Sequence, residues 1–427
     1  MAFSMLLGAP LCDSLGMKRI LMVAWGCHMV GVVGTIFAPH GDWAFAVLFS
    51  ATFLAGCGNG LVEVAINPLA ATLYPKDKTH YLNVLHAWWP GGLMLGGLIA
   101  RGIGGGFDLG FFEIEGFGLG WQARMALILV PGIAYLLMFL PLRFPETERV
   151  AMGVTSSEMF RQALRPMYII WAFCMLLTAA TELGPQQWQE SVMTRTAGVS
   201  GTLILVYTSG MMFVLRHFAG PLAHKLSPVG LLTGSALLSA IGLFLLSFAD
   251  SAFTAFGYAT IFGLGIAYFW PTMLGITAER FPRGGAFLLG LTGSVGNLSI
   301  ALVLPFMGYT FDRYSVENVP EEYVAQAVAT GEAGWELKLF GIQDANKIDA
   351  AAVANLPSEG QSAVADAQKI GAAMAFRVIS LLPVLLVLIF GAIAIRDYLT
   401  GGYKPELLLS RDEEDELFAG GAEGPVE

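Results

Sequence analysis

Long apolar runs follow one another along the whole chain, separated by short segments rich in Gly, Pro and charged residues. Most runs contain about 20 residues, the length that an α-helix needs to cross the hydrocarbon core of a bilayer. The first run is shorter than this, and the third is longer. The pattern therefore predicts an all-α polytopic membrane protein. The eleven predicted membrane helices cover residues 1–15, 20–38, 43–73, 80–103, 121–142, 166–192, 199–221, 229–248, 252–278, 285–309 and 371–395.

The composition agrees with this prediction. Hydrophobic residues make up 55% of the 427 residues and charged residues only 13%, and the mean hydropathy is +0.64. Soluble domains contain roughly 25% charged residues, so the balance excludes a soluble enzyme. The four cysteines lie inside apolar runs, and the chain has no phosphate-binding glycine loop, no paired-cysteine motif and no His-Glu-x-x-His motif. We expect no enzyme activity, no cofactor, no metal ion and no nucleic acid partner.

Acidic residues are concentrated in two segments. Residues 312–370 and 396–427 together hold 19 of the 33 acidic residues, whereas the rest of the chain carries 16 basic and 14 acidic residues. Basic residues collect in alternate connections between the predicted helices, which marks those connections as cytoplasmic. We therefore expect a cytoplasmic C-terminus, an outer N-terminus and an outer acidic insertion at 313–370. The expected location is the inner (plasma) membrane of a bacterium, and the expected state is a monomer.

Three short segments recur when the sequence is shifted by about 207 residues. Two parallel halves related in this way are a known plan of membrane transporters. A helix equivalent to 166–192 is then expected ahead of residue 1. The chain is interpreted as a twelve-helix plan that lacks its first helix; a genuine eleven-helix protein is the alternative. The recurring segments are 10–15 with 221–226, 56–58 with 263–265, and 104–108 with 308–312.

The repeat also predicts the domain organisation. The insertion at 313–370 alternates Ala-rich stretches with Gly and Pro, which predicts short surface helices. The predicted units are an N-terminal helical bundle at 1–142, a cytoplasmic linker at 143–165, a C-terminal helical bundle at 166–397 and an acidic cytoplasmic tail at 398–427.

Two glutamates are predicted to lie deep inside membrane helices. Glu63 is 12 residues from Pro75 at the end of its helix, and Glu182 is 16 residues from Pro166. At 1.5 Å per residue, they lie about 18 Å and about 24 Å from the cytoplasmic end, near the middle of the bilayer. An ionisable group there is costly and indicates function. The alternative is a carboxylate that only pairs with a neighbouring group.

Polar side chains accompany each glutamate at helical spacing. Asn59 and Asn67 lie one turn on either side of the first glutamate, and Gln186 follows the second by four residues. Asn297 of the tenth helix is predicted at a similar depth, about 21 Å. Transporter sites lie at this level between the repeats, so these residues are candidates for a solute and proton pathway. Polar contacts that only hold helices together are the alternative.

The fourth apolar run begins with polar and aromatic residues. Asn83 and His86 can bond a solute or relay a proton, and Trp88 and Trp89 can stack on sugar rings. A neutral histidine bonded to a carbonyl and an interfacial belt of tryptophans are the structural alternatives. Trp270 of the second half is predicted at a similar depth.

The first turn between helices gives the chain a family resemblance. Residues 8–19, GAPLCDSLGMKR, resemble the signature loop of major facilitator transporters. The resemblance implies the major facilitator fold, and it implies that this loop latches neighbouring helices. The latch positions in this chain are Gly8, Asp13, Gly16, Lys18 and Arg19.

A second segment indicates a branch of that family. Residues 58–68, GNGLVEVAINP, together with the polar and aromatic helix that follows, resemble the fucose permease branch. The resemblance implies that Glu63 works with an aspartate of the first family helix in proton-coupled sugar uptake, and this chain has no counterpart of that aspartate. His86 and Trp89 occupy two positions at which the branch has polar contact residues.

Together these features predict a secondary active transporter of a small polar solute, with a sugar as the favoured solute. Alternating access would be coupled to protons at Glu63, and the expected partners are the solute, protons and the lipid bilayer. Two alternatives are open: a drug or metabolite exporter of the same fold, and a membrane sensor that does not transport and binds a partner through the insertion.

Overall fold

The computed structural model describes residues 1–108, 113–406 and 408. Every predicted apolar run of the first half forms helix, because a helix satisfies its backbone hydrogen bonds within one segment, as a bilayer requires. The fifth run is divided into two helices. The elements of the first half and the linker are α1 (Ala2–Leu15), α2 (Met17–Ile36), α3 (Ala44–Leu73), α4 (Lys78–Ile103), β1 (Gly106–Asp108), β2 (Glu113–Glu115), α5 (Trp121–Ala126), α6 (Leu129–Phe139), α7 (Glu148–Ala151) and α8 (Ser156–Gln162).

The second half follows the same plan, with more breaks inside its helices. The axes of α10 and α11 meet at 63°. The elements are α9 (Pro166–Thr196), α10 (Gly201–His217), α11 (Ala219–Leu226), α12 (Pro228–Leu246), α13 (Ala252–Ile266), α14 (Phe269–Arg280), a 3₁₀ turn (Pro282–Gly284), α15 (Gly285–Glu317), α16 (Glu321–Ala327), β3 (Val328–Glu332), α17 (Trp335–Lys338), β4 (Asp344–Ile348), α18 (Ala350–Val353), α19 (Ser358–Ile379) and α20 (Leu381–Leu399).

The eleven predicted membrane helices all correspond to helices of the structure. Among the described residues, eight helical segments are long and apolar enough to cross a membrane, and the bent pair of α10 and α11 makes a ninth. The other two are α1, which has 14 residues, and α4, which has polar and charged residues along its first turns.

The internal repeat is visible in the backbone. Gly16, in the turn between α1 and α2, has φ 83° and ψ 145°, and Ser227, in the equivalent turn between α11 and α12, has φ 64° and ψ 156°. Tyr74 at the end of α3 (φ −127°, ψ 63°) likewise matches Phe281 at the end of α14 (φ −134°, ψ 46°). The two halves therefore make the same turns at equivalent positions.

Two apolar clusters join the halves at the end of the bundle that holds the turn between α3 and α4. The largest hydrophobic cluster is built from the second half but includes Ala70, Ala71 and Leu82 of the first. A smaller cluster joins α1, α2, α3 and α6 to Ala286 of α15. All these residues lie near the turn between α3 and α4 or near the start of α15. We call this end of the bundle the basic end, because its turns carry Lys18, Arg19, Lys76 and Lys78.

The insertion differs from the prediction of short helices alone. It contains α16, α17 and α18, but β3 and β4 form an antiparallel hairpin that pairs Val328 with Ile348. β-branched residues at the paired ends favour strand over the helix that the Ala-rich composition suggests. The last membrane helix begins at Ser358 rather than at 371, because its first turns are polar and carry no hydropathy signal. The acidic run at 412–416 lies outside the described residues.

Candidate functional site

Glu63 lies in a small polar cluster between α3 and α4. The residue is 9% exposed, and its Oε2 accepts a hydrogen bond of 2.8 Å from Nδ2 of Asn67, one turn further along α3. Nε2 of His86 donates to Oδ1 of Asn67 at 2.8 Å and lies 3.7 Å from Oε2 of Glu63. We call these three side chains the Glu63 cluster. Two helices of the first half thus hold a carboxylate between neutral partners.

Glu182 lies in a second buried cluster, between α9 and α10. Nη2 of Arg216 is 3.1 Å from Oε1 of Glu182, and the two residues are 1% and 3% exposed, respectively. Arg216 also donates from Nη1 to the carbonyl oxygen of His86 at 2.7 Å and from Nε to that of Ala267 at 2.6 Å. Because His86 belongs to both sets of contacts, the two clusters are joined across the two halves.

Arg216 is not among the residues predicted from the sequence. A signal was available, because the residue lies inside the predicted helix 199–221, where an unpaired guanidinium is costly. Such an arginine needs a buried acid, and Glu182 was already predicted at a comparable depth. The pattern could therefore have indicated an ion pair between Arg216 and Glu182, although not the two carbonyl groups that Arg216 also bonds.

Two more predicted residues are buried near these clusters. Asn83 of α4 donates to the carbonyl of Thr79 at 2.8 Å and to Oγ1 of Thr272 on α14 at 3.1 Å. Gln186 is 9% exposed, and its Nε2 lies 3.6 Å from Sδ of Met212 on α10. Asn83 therefore connects the two halves, whereas Gln186 contacts only the second half in these bonds.

The remaining predicted pathway residues have other neighbours. Asn59 is exposed and bonds Nε2 of His28 on α2 at 2.9 Å, so the polar stripe of α3 is divided between two partner helices. Trp89 is 48% exposed. Trp270 is buried against α15, and Asn297 donates to a carbonyl of its own helix at 2.9 Å.

The turn between α1 and α2 is tied to the linker through Asp13. Its Oδ2 lies 2.6 Å from Nη2 of Arg149, and its Oδ1 accepts a bond of 2.6 Å from Oγ1 of Thr147. The linker residues that complete this contact are not among those predicted. Lys18 donates to two carbonyl oxygens that follow α6, those of Leu140 (2.5 Å) and Leu142 (2.8 Å).

The other three latch residues have distinct positions. Gly16 has the positive φ that an L side chain rarely adopts, so glycine suits this turn. A side chain at Gly8 would approach Leu61 of α3 to 2.7 Å, so this glycine allows α1 and α3 to approach closely. Arg19 is exposed.

The two clusters differ in their electrostatics. Glu182 has a cationic partner that compensates its charge, whereas Glu63 is hydrogen-bonded to the amide of Asn67 and lies 3.7 Å from the imidazole of His86. A buried carboxylate with neutral partners can exist in the protonated form without leaving a cation uncompensated. Among the described residues, no group of three or more His, Cys, Asp and Glu side chains could hold a metal ion. The arrangement can bind a proton and bond a polar solute.

These features define the class of the protein: two repeated halves of membrane helices around buried polar residues are the architecture of an integral membrane transporter. The sequence profile of the Major Facilitator Superfamily matches residues 1–304, and the chain belongs to this family. The predicted fold class is thus confirmed. No curated protein sequence matches the chain.

Several solved transporters have a similar fold. A variant of the E. coli fucose:proton symporter FucP is 13% identical, with a TM-score of 0.57, and the alignment covers 90% of this chain and 87% of that one. The proton:xylose symporter XylE is also 13% identical, with a TM-score of 0.65 and coverage of 97% and 86%. A bacterial homolog of the human lysosomal transporter Spinster is 19% identical, with a TM-score of 0.58 and coverage of 95% and 91%. At these identities the similarity shows the fold alone.

Proposed function

We propose that this protein is a secondary active transporter that moves a small polar solute, a sugar, together with protons by alternating access. The observation that carries the proposal is the set of neighbours of Glu63: the buried carboxylate accepts a hydrogen bond from the Asn67 amide and lies 3.7 Å from the imidazole of His86, whose carbonyl oxygen accepts a bond from the second half. Proton symporters for fucose and xylose are among the solved structures with a similar fold, which supports the choice of a sugar.

In the proposed cycle, Glu63 binds a proton on the outer side. Protonation removes a buried negative charge and therefore lowers the cost of moving the loaded site relative to the second half. The Oδ1 of Asn83, which has no hydrogen-bond partner among the described residues, and the ring of His86 are the polar groups proposed to meet the hydroxyl groups of the solute. Release of the solute and then of the proton on the inner side restores the charged state.

The proposed orientation follows from the charges. The basic end is cytoplasmic and the acidic insertion is on the outer side, as the positive-inside rule requires. The proposed location is a bacterial inner membrane, with the C-terminus in the cytoplasm, and the proposed state is a monomer without enzyme activity.

The test of the proposal is the Glu63→Gln variant in proteoliposomes. A panel of radiolabelled monosaccharides, including L-fucose and D-xylose, first identifies a transported sugar. Glu63→Gln is then expected to abolish accumulation driven by a proton gradient, because the side chain of glutamine does not bind and release a proton at physiological pH. Exchange of labelled for unlabelled sugar is expected to continue.

A matched control is Glu359→Gln, which changes an exposed glutamate of α19 in the same way. It is expected to accumulate sugar like the unmodified protein. Proton-driven accumulation that survives in Glu63→Gln would refute the proposed role of Glu63, and a panel in which no sugar is carried would refute the proposed solute class.

A further inference from the structure

Arg216 bonds two carbonyl groups that prolines leave without a helical partner. In an α-helix each carbonyl accepts a hydrogen bond from the amide four residues later, and proline has no amide hydrogen. Pro90 follows His86 by four residues, and Pro271 follows Ala267 by four. These two carbonyls are the ones to which Arg216 donates, at 2.7 and 2.6 Å.

The third contact of Arg216 is with Glu182, which balances its charge. A guanidinium presents its donors in a rigid planar fork, so the three acceptors fix its position more firmly than a single ion pair would. Since the carbonyl of His86 belongs to α4 and the other two acceptors belong to the second half, Arg216 joins the halves at the centre of the bundle.

Arg216 also marks the inner end of a line of polar contacts between the halves. The line begins at Asp77, just before α4, and continues along α4 at every third residue, and each of these residues contacts a polar group of the second half. We call these contacts the α4 seam. From the basic end inward they join Asp77 to His224 (3.4 Å), His80 to Gly220 (3.1 Å), Asn83 to Thr272 (3.1 Å) and His86 to Arg216 (2.7 Å).

We propose that Arg216 is a positioning residue with two roles. It holds the contacts of the α4 seam together, which we call the lock, and it transmits a change in the protonation of Glu63 to those contacts, which we call the relay. The lock follows from the geometry: the halves cannot separate along the seam unless Arg216 releases the carbonyl of His86. The relay rests on the proposed function, in which Glu63 gains and loses a proton. It runs through His86, whose ring belongs to the Glu63 cluster and whose carbonyl holds Arg216.

The lock is tested by the accessibility of a buried cysteine. In a background without the four native cysteines, Ala71→Cys places a thiol in the apolar contact between the halves, at a position that is 4% exposed. Labelling by a maleimide is measured on purified protein in detergent, without solute or gradient. Arg216→Gln is expected to label about tenfold faster, because one charge-assisted hydrogen bond between the halves is lost.

Arg216→Lys separates the lock from simple charge balance. A single ammonium group can still pair with Glu182 but cannot hold three acceptors in a planar fork, so this variant is also expected to label severalfold faster. The control is Arg195→Gln, because Arg195 is exposed and bonds Gln368 of the same half. A second reporter, Ala255→Cys in the core of the second half, detects general unfolding and is expected to stay unlabelled.

The outcomes distinguish the lock, the relay and the transport proposal. Arg216→Lys that labels as slowly as the unmodified protein would overturn the lock. Glu63→Gln, which imitates the protonated acid, is expected to change labelling of Ala71→Cys severalfold, and to have no effect once Arg216→Gln is present. An equal effect in both backgrounds would overturn the relay. None of these measurements depends on proton-driven uptake, so the failure of either inference can be told apart from failure of the proposed function.

Discussion

The two halves of this chain repeat the same turns but hold their buried glutamates differently. Glu63 of the first half accepts a hydrogen bond from an amide and lies 3.7 Å from an imidazole nitrogen. Glu182 of the second half pairs with the guanidinium of Arg216 at 3.1 Å, and that guanidinium donates to three acceptors, one from each of its nitrogens. One acid therefore has a cation bonded to it, whereas the other has none within the described part of the chain.

This difference indicates that the two buried acids have different roles in the two halves. An ion pair that is buried on all sides fixes the geometry of the helices around it, because removing either partner leaves a charge without compensation. A carboxylate among neutral groups can lose its charge without leaving a buried cation uncompensated. In the proposed function, the second half supplies a fixed frame, and Glu63 of the first half supplies the group that responds to protons.

The largest effect on stability is expected when the ion pair of Glu182 and Arg216 is broken, and a much smaller one when Glu63 is changed. Glu182→Gln leaves the charge of Arg216 buried without a counter-charge and is expected to lower the free energy of unfolding by about 3 kcal/mol. Glu63→Gln removes no bonded counter-charge, because the guanidinium of Arg216 keeps its pair with Glu182, and it is expected to change this free energy by less than about 1 kcal/mol. Reversible unfolding in mixed detergent, followed by circular dichroism, measures both variants.

The double variant Glu182→Gln/Arg216→Gln provides the control. Because both charges are removed, it is expected to recover part of the stability lost in Glu182→Gln, so that the two single changes are not additive. Additive losses, or equal losses in Glu63→Gln and Glu182→Gln, would show that the two acids do not differ in the way proposed.

A smaller effect is expected at the equivalent turns of the two halves. In the first turn Asp13 and Arg149 are each 6% exposed and lie 2.6 Å apart, whereas in the second turn His224 is 68% exposed and lies 3.4 Å from Asp77. Asp13→Asn is expected to lower the free energy of unfolding by about 2 kcal/mol, since it leaves a buried guanidinium with a weaker partner. His224→Gln is expected to change it by less than about 0.5 kcal/mol, as for most exposed ion pairs.

The same unfolding measurement checks this pair of variants. Arg149→Gln is the matched change on the other side of the first contact, and combining it with Asp13→Asn gives a double-mutant cycle for the buried pair. A loss in His224→Gln as large as that in Asp13→Asn would contradict the difference in burial between the two turns.

Much of the fold could be predicted from the sequence, because each membrane helix carries its own signal in one continuous apolar run. Glu63 and Glu182 were predicted for the same reason, since a carboxylate in such a run stands out. The partners of Asn59 and the carbonyl partners of Arg216 could not be predicted in this way. They depend on which helices lie next to each other, and a carbonyl freed by Pro90 or Pro271 acquires a role only when a donor from another helix reaches it.

The smallest effect on stability is expected from the backbone conformation that the two turns have in common. Gly16 and Ser227 both have positive φ with extended ψ, a region that costs a residue other than glycine about 1 kcal/mol or more. Ser227→Gly removes this strain and loses a cap to the amide of Gly230 (3.1 Å), which costs only a few tenths of a kcal/mol when glycine replaces serine. Ser227→Gly is therefore expected to raise the melting temperature in detergent slightly, and Gly16→Ser to lower it. A lower melting temperature in Ser227→Gly would mean that the cap outweighs the strain, and that the second turn, unlike the first, is held by its side chain rather than by its backbone.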